Sequence, residues 1–445
     1  MARAQAHKWE FKPRFRRHAF GWKSQPAIIR VKQAVAEIKK VAKKEPVLAA
    51  EGSIAFLERV SPALEHVDSS SGSIGTAVNN AIAELVPIIA SAPADAKTRA
   101  AWLERLWEAH QEDDIPYIER LGDHWGQLCA SKEIASAWAD QLEGIVRMAW
   151  SPNPNLRGYF KGTSNCLSAL LAAERYDDVL TLLALEPHKM WHYRRYGVKA
   201  LSAQGKKAEA IRYAEEGRGI NDSSIAIARA CEDLLLSSGL AGEAYRRYGL
   251  TANQSETYLA TFRAVAKKYA HKAAGEILAD LVRTTPGEEG KWFAAAKDAG
   301  LYDDALALAS HTPCDPKTLT RAARDYAERE PSFAVGAGLL ALYWLVQGHG
   351  YKITGAKVRV FSTSMYGMDT MLTTSSAPPQ AYRDMTVPDA NSKNLYAITI
   401  QDGLLEMYVN GKREHRSKYN LPKEGPFLIE VRGTVSLAAP QAVGQ

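Results

Sequence analysis

The feature that most constrains this chain is a short string that recurs. Ala299-Gly-Leu-Tyr-Asp-Asp-Ala-Leu-Ala-Leu-Ala309 has relatives in Ala173-Glu-Arg-Tyr-Asp-Asp-Val-Leu180, Gln204-Gly-Lys-Lys-Ala-Glu-Ala-Ile211 and Ser238-Gly-Leu-Ala-Gly-Glu-Ala-Tyr245. Each opens on a small or polar residue and usually a Gly, and an acidic residue then precedes Ala or Val and an apolar residue. Aligned on Val179, Ala210, Ala244 and Ala305, the spacings are 31, 34 and 61, the last close to two periods. A period in the low thirties marks stacked helix–turn–helix units, each burying its apolar face on its neighbours. The Asp303-Asp304 pair therefore reads as part of a turn. Such an array is a surface for partners, so the pattern speaks to architecture before activity.

The fold expected is mainly α: a right-handed α-solenoid of helix pairs, HEAT-like and then tetratricopeptide-like, with a small C-terminal antiparallel β segment. Five regions follow: a basic aromatic arm at 1–26, a HEAT-like helical domain at 27–150, a tetratricopeptide-like array at 156–349, a β module at 350–437 and a frayed tail at 438–445. In the second region, Ile28, Val31, Val35, Ile38 and Val41 step by three or four, the spacing of an amphipathic helix over 27–44 that Pro46 ends. Val47 to Val60 reads as another helix, and Ser61-Pro62 fits the start of a third. Asp68-Ser-Ser-Ser-Gly72 is a polar loop feeding a helix over 76–90, and further helices follow at 96–110 and after a cap at Ser131. Ser151-Pro-Asn-Pro-Asn155 is the expected seam, and Val335 to Val346 the buried last helix. From Leu395 the pattern becomes strict alternation, with Asp402-Gly403 and Asn410-Gly411 as hairpin turns and Phe427, Ile429 and Val431 in a later strand.

Charge is unevenly placed. The first 45 residues hold eight Lys and five Arg against three Glu, whereas the whole chain carries only +6. In the arm, Trp9, Phe11, Phe15, Phe20 and Trp22 interleave with Lys8, Lys12, Arg14, Arg16, Arg17 and Lys23. Cations that meet phosphates beside rings that stack on bases suit single-stranded nucleic acid. Rings packed on the first helices with their charges in water are the alternative. Helix 27–44 extends the same basic patch through Lys32, Lys39, Lys40 and Lys43, or is simply a solvated face.

A second candidate is Trp191-His-Tyr-Arg-Arg-Tyr196. On a groove-lining helix, Arg194, Arg195 and Lys199 would meet a peptide carboxylate or phosphate, with Trp191, Tyr193 and Tyr196 as flat contact surfaces. Arg246 and Arg247, inside Tyr245-Arg-Arg-Tyr248, would repeat that arrangement. Alternatively, Trp191 and Tyr196 fill the seam between helices. A third candidate is acidic, comprising Glu112, Asp113, Asp114, Asp123 and His124. Carboxylates near a His can hold a metal or move protons, but Glu112 to Pro116 also reads as a loop whose acids cap the next helix.

Cys129, Cys166, Cys231 and Cys314 lie far apart, which fits core thiols in a reducing cytoplasm. No signal peptide, no membrane span, no metal site and no cofactor are expected, and the phosphate-loop, dinucleotide, His-Glu-x-x-His and Gly-x-Ser-x-Gly strings are absent.

Asp68-Ser-Ser-Ser-Gly72, Trp102-Leu-Glu-Arg-Leu-Trp107, Ile115-Pro-Tyr-Ile118, Trp191 to Tyr196, Ile227-Ala-Arg-Ala-Cys-Glu-Asp233 and Thr285-Pro-Gly-Glu-Glu-Gly-Lys-Trp-Phe293 together resemble an uncharacterised bacterial family of helical-repeat proteins. The resemblance spans roughly residues 7–356; it implies an all-helical solenoid and supplies no catalytic residue. The leading functional expectation is a cytoplasmic, non-enzymatic scaffold that binds a protein partner in a concave groove. Its rivals are a nucleic-acid-associated protein acting through residues 1–44 and an enzyme with an acidic or metal site near Asp113 and Asp123.

Overall fold

The computed structural model describes residues 7–350 apart from 154, 156, 217–222 and 348, together with the backbone of five short strands further on. The described chain is mainly helical and divides into two compact units, 1–252 and 253–445.

The first unit opens with α1 (Ser24–Ala42), α2 (Pro46–Leu64), α3 (Ser73–Ser91) and α4 (Ala96–Gln111). The expected stripe of α1 is its buried face: Ala27, Ile28, Val31, Ala34, Val35 and Ile38. Asp95 caps α4 by accepting from the Thr98 amide at 2.7 Å. A 3-10 turn (Glu119–His124) leads into α5 (Trp125–Cys129), and Ser131 caps α6 (Lys132–Ala149). Then follow α7 (Thr163–Ala172), α8 (Tyr176–Leu183), α9 (Trp191–Ala203), α10 (Lys207–Glu216), α11 (Ser224–Leu236) and a helical run over 241–252 with a π segment at Tyr245–Gly249. Sequence neighbours pack on each other, as in α1 with α2 and α9 with α10. Alternate helices also touch: α1 with α3, α3 with α5, α5 with α7 and α7 with α9.

Several expected boundaries move. Pro62 begins no new helix; it lies inside the last turns of α2, where the Ser61 hydroxyl donates to the Asp113 carboxylate and the Pro62 carbonyl accepts from the His18 amide at 3.0 Å. A proline near a helix C-terminus loses only one late backbone bond, and these side contacts hold the chain there. Pro46, expected as a stop, is the first residue of α2, where its missing N–H costs nothing. Ser151 to Asn155 joins α6 to α7, which pack together, and one apolar core runs from Trp9 to Ala200 across that stretch. The boundary between the compact units falls at 252/253 instead. By length and composition α3, and not Val335 to Val346, comes nearest to a membrane span. In this fold its Ile74, Val78, Ile82, Leu85, Val86 and Ile89 are core.

The recurring string is a repeated helix ending. Glu174, Gly205, Gly239 and Gly300 occupy the same place in it, and all four are left-handed, with φ of 60°, 77°, 75° and 74°. The next amide bonds back five residues each time: Arg175 to Leu170, Lys206 to Leu201, Leu240 to Leu235 and Leu301 to Ala296, all at 2.9–3.0 Å. This is the Schellman ending, which satisfies helix carbonyls that would otherwise lack donors. The residues used for alignment, Val179, Ala210, Ala244 and Ala305, are all fully buried. A methyl group on Gly205, Gly239 or Gly300 would enter open space, so Gly→Ala there is expected to cost only the left-handed backbone term, about 1 kcal/mol each. Glu174→Gly is expected not to destabilise, because relief of that term offsets the exposed ion pair with Lys132. Urea midpoints of the four single variants check the contrast.

The second unit holds helices Tyr258–Lys268, Ala274–Arg283, Phe293–Asp298, Tyr302–His311, Pro316–Tyr326 and Pro331–Val346. The last is less buried than expected, since Val335 and Leu339 are 45% and 47% exposed. Beyond it the backbone is described for Val358–Ser362, Tyr396–Gln401, Leu404–Val409, Lys412–Lys418 and Phe427–Val431. The middle three pair antiparallel in order, and the first pairs with the last. The turns and side chains of the module expected at 350–437, and the tail at 438–445, lie outside the described residues.

Candidate polar cleft around Asp123

At Gly126, α5 comes so close to α7 that a Cβ there would sit 2.2 Å from the Ser168 carbonyl oxygen. The Gly126 amide donates to the Ser168 hydroxyl at 3.0 Å, and that hydroxyl donates to the Asp123 carbonyl at 3.1 Å, clamping α5 and the turn before it onto α7. One turn of α9 separates Arg195 from Lys199, so both point to the same side. The Asp123 carboxylate receives the Arg195 guanidinium and, on the same oxygen, the Tyr196 hydroxyl at 3.1 Å. Arg195 is steadied further by donating from Nε to the His192 carbonyl at 2.8 Å.

Around this pair opens a cleft of about 600 Å³. Its walls are Asn79, Asn80 and Ala83 of α3; Arg120 and His124 of the 3-10 turn; Gln127 of α5; Leu171 and Ala172 of α7; and Lys199 of α9. Burial alone would push the Asp123 carboxyl up, but Arg195, His192 and Tyr196 more than reverse this and hold it below the usual carboxylate range. Asp123 and Arg195 are thus a fixed ionic pair. Desolvation and then the Arg195 charge depress the Lys199 ammonium, as expected for a cation whose neighbour is another cation. Arg120 stands 3.9 Å from Asp123 and is mostly exposed.

Two groups of residues singled out separately in the sequence meet here: Asp123 and His124 from the acidic run, and Arg195, Tyr196 and Lys199 from the aromatic–basic run. Asp113 takes no part. It is buried, accepting from the amides of Tyr117 and Ile118 at 3.2 and 2.8 Å and from Ser61, which makes it a cap for the turn that follows. The rest of the aromatic–basic run turns inward. Arg194 is 7% exposed, lies 3.8 Å from the Tyr213 ring centre and donates to the Tyr213 carbonyl. It is packing and cannot reach a ligand in this fold, a correction to its placement in a groove. Tyr193 packs edge-on to Trp150, and burial pushes its hydroxyl up to about 12. Trp191 packs beside the core around Val198 and Leu201. Arg247 pairs with Glu215 and Glu243 at 3.2 and 3.0 Å; it and the exposed Arg246 lie on the run over 241–252, outside the cleft wall.

Sequence reasoning missed Asn79, Asn80, Arg120 and Gln127. Only the first two left a signal: an Asn pair breaking the apolar run of α3.

Ser164, His192 and Asp123 come together, which invites comparison with a nucleophilic triad. The geometry does not support one. His192 uses the same nitrogen, Nε2, toward the Ser164 hydroxyl (2.9 Å) and toward Asp123 (3.9 Å). A triad needs the carboxylate on Nδ1, orienting the ring while Nε2 takes the proton. Among the described residues, no three His, Cys, Asp or Glu side chains gather as a metal-ligand set. Burial pushes the thiols of Cys129, Cys166 and Cys314 up to about 12, far from a reactive thiolate.

The N-terminal arm is folded. Trp9, Phe11 and Phe15 are 4%, 2% and 1% exposed; Phe11 and Phe15 meet Phe56 edge-on, and the Trp9 indole fills the space left by Gly52. The Glu37 carboxylate accepts from the amides of Glu10 and Phe11 at 2.7 and 3.2 Å. These three rings are therefore unavailable to stack on bases, which corrects the interleaved reading. Lys8, Lys12, Arg16 and Lys23 face water, Arg14 and Arg17 pair with Glu10 and Glu65, and Trp22 stays 73% exposed.

Comparison with protein-family models finds no match, and no curated protein matches the sequence.

Proposed function

We propose that the chain is a non-enzymatic α-solenoid scaffold and that one layer of its helices, α1, α3, α5, α7 and α9, forms the face that holds a protein partner. The supporting observation is the Asp123 cleft. Four of those five helices contribute to its wall, and the Asp123–Arg195 pair gives it a rigid floor. The Schellman endings repeating near the sequence period, and the packing of alternate helices on each other, fit a stack of helix pairs. With Arg195 committed to Asp123, Arg120 and Lys199 remain to meet an acidic group of the partner, and the amides of Asn80 and Gln127 can bond its backbone. A polar rim with few strong anchors suits a reversible protein contact.

A photo-crosslinking residue at 80 or 127, in cells that make the protein naturally, is expected to capture one partner. The same residue at Lys97, on the exposed side of α4, should not. Arg120→Glu with Lys199→Glu should remove the adduct while leaving the thermal midpoint unchanged. Adducts that persist in that variant, or that form equally at 97, sink the proposal. Nucleic acid is the second reading, favoured by exposed Trp22 beside Lys23 and Arg30 around a shallow depression. A crosslinker at 22 reads it directly, because the adduct there would be nucleic acid. Deleting residues 1–26 would not be a clean test, since it strips Trp9, Phe11 and Phe15 from the core.

A further inference from the structure

The cleft does not stop at α3. A second groove of about 490 Å³ lies between α1 and α3, and Asn80 lines both. From it Lys32, Lys39, Lys40 and Lys43 project on the α1 side, with Glu84 opposite. The two grooves together carry seven cations (Lys32, Lys39, Lys40 and Lys43, with Arg120, Arg195 and Lys199) against two acids, Glu84 and Asp123. Lys39 is paired with Glu84 at 2.7 Å, and Arg195 with Asp123. Lys32, Lys40 and Lys43 have no acidic partner among the described residues, and Arg120 and Lys199 have only the already engaged Asp123. Five cations spread over two grooves that share Asn80 make a strongly positive surface crossing from α1 to α9.

The surface between the charges chooses among anionic partners. It mixes aliphatic groups (Ala36, Ala77, Ala83, Leu171 and Ala172) with the amides of Asn79, Asn80 and Gln127. Its rings are Tyr196, 2% exposed with its hydroxyl held by Asp123, and the half-buried imidazole of His124. Single-stranded nucleic acid draws much of its affinity from bases stacked on exposed rings, and among its lining residues the track offers no exposed Trp, Tyr or Phe. An acidic peptide with intervening aliphatic side chains matches both the cations and the aliphatic floor.

We propose that the joined track, from Lys43 at the end of α1 to Lys199 of α9, binds an acidic, aliphatic-rich peptide segment of a protein partner; this rests on the partner-binding reading above. Helix axes in contact lie about 9 Å apart, so the four steps from α1 to α9 span roughly 36 Å. An extended peptide covers that span with about 11 residues at roughly 3.3 Å each.

The test is fluorescence anisotropy on the full chain, with labelled peptides of repeating Glu-Leu-Glu-Ala at 4, 8, 12 and 16 residues. A 12-residue Lys-Leu-Lys-Ala peptide and a 12-nucleotide poly(dT) serve as competitors in chemistry. Affinity for the acidic peptides is expected to rise with length, level off near 12 residues and weaken with salt. Lys40→Glu with Lys43→Glu, and Lys199→Glu alone, lie at opposite ends of the track. Each should weaken the 12-residue acidic peptide about tenfold, whereas the 4-residue peptide should be too short to feel both. Lys40 and Lys43 are exposed; Lys199 Nζ lies 5.7 Å from the Tyr196 ring centre, so Lys199→Gln, which adds no carboxylate beside Asp123, is the folding control and should weaken the 12-mer as well. The proposal is overturned if the acidic 12-mer does not bind, if the lysine peptide binds equally, if affinity does not depend on length, or if poly(dT) binds more tightly and is lost in the same variants. If the crosslink at 127 forms and disappears in the Arg120/Lys199 variant while the acidic 12-mer fails, the partner face stands and only the peptide chemistry falls. If both fail, both fall.

Discussion

Gly126→Ala is expected to destabilise the first unit by about 3 kcal/mol, far beyond the usual effect of one methyl group. A Cβ at that position would sit 2.2 Å from the Ser168 carbonyl oxygen, 2.9 Å from its carbonyl carbon and 2.5 Å from the Ala172 methyl. Two of these three obstacles are backbone, so no rotamer change relieves them, and α5 must lift away from α7. Lifting lengthens the bond from the Gly126 amide to Ser168 and loosens the Ser168 bond to Asp123, and with them the floor of the cleft. Stability and partner binding should therefore fall together. For a unit of this size the loss corresponds to a drop of roughly 6–12 °C in thermal midpoint. Gly144→Ala is the control. It lies on the exposed side of α6 with nothing within 4 Å, and a helical alanine there should stabilise by about 0.5–1 kcal/mol. If Gly126→Ala melts within 2 °C of the parent, the close approach and the cleft geometry built on it are wrong.

The elements that the sequence made legible are those fixed by local chemistry. Gly205, Gly239 and Gly300 announce left-handed helix endings because glycine alone enters that region without strain, and the apolar residue that follows at fixed spacing is buried each time. The cap at Ser131 follows from a side chain that reaches the amide three residues on. Features set by distant contacts were not legible. Arg194 and Arg195 are chemically alike, but neighbours on a helix point about 100° apart, so one stacks on Tyr213 inside while the other crosses to Asp123, 72 residues away in sequence. Nothing local says which arginine goes where. The same holds for Pro62, kept helical by Asp113 and His18, and for Trp9, Phe11 and Phe15, whose partner Phe56 belongs to another helix. The cleft shows the limit most clearly. Its candidates Asp123 and Lys199 were visible as residue types, but the acid that looked like a catalytic carboxylate is the counter-ion of an arginine.

Acid is expected to weaken the first unit well above the carboxylate range, and His110 is the reason. The ring is fully buried at the end of α4, stacked against Trp107. Its Nε2 lies 3.3 Å from the Glu119 carbonyl and its Nδ1 3.3 Å from the Gln111 side-chain amide. A neutral ring satisfies both contacts, with Nε2–H donating to Glu119 and Nδ1 accepting from Gln111; a second proton would point at a donor. Burial, with the Lys161 charge adding to it, lowers the His110 pKa to about 4, against the smaller opposing pulls of the Glu119 carbonyl and the Asp123 carboxylate. A histidine lowered on folding is protonated earlier in the unfolded chain. Its contribution is whole above about pH 6.5 and is lost as pH falls toward 4. The loss from this group is about 2 kcal/mol at pH 5 and about 3 kcal/mol near pH 4. His124 and His192, also lowered chiefly by burial, act in the same direction. Urea unfolding at pH 7 and pH 5 checks the size, and His110→Gln checks the source. Glutamine keeps an amide donor for the Glu119 carbonyl without a titrating group. The variant should be less stable at pH 7 through imperfect packing, but its stability should change much less between pH 7 and pH 5. A parent whose urea midpoint is flat over that interval, or a glutamine variant that falls as steeply as the parent, would place the neutral buried ring in error.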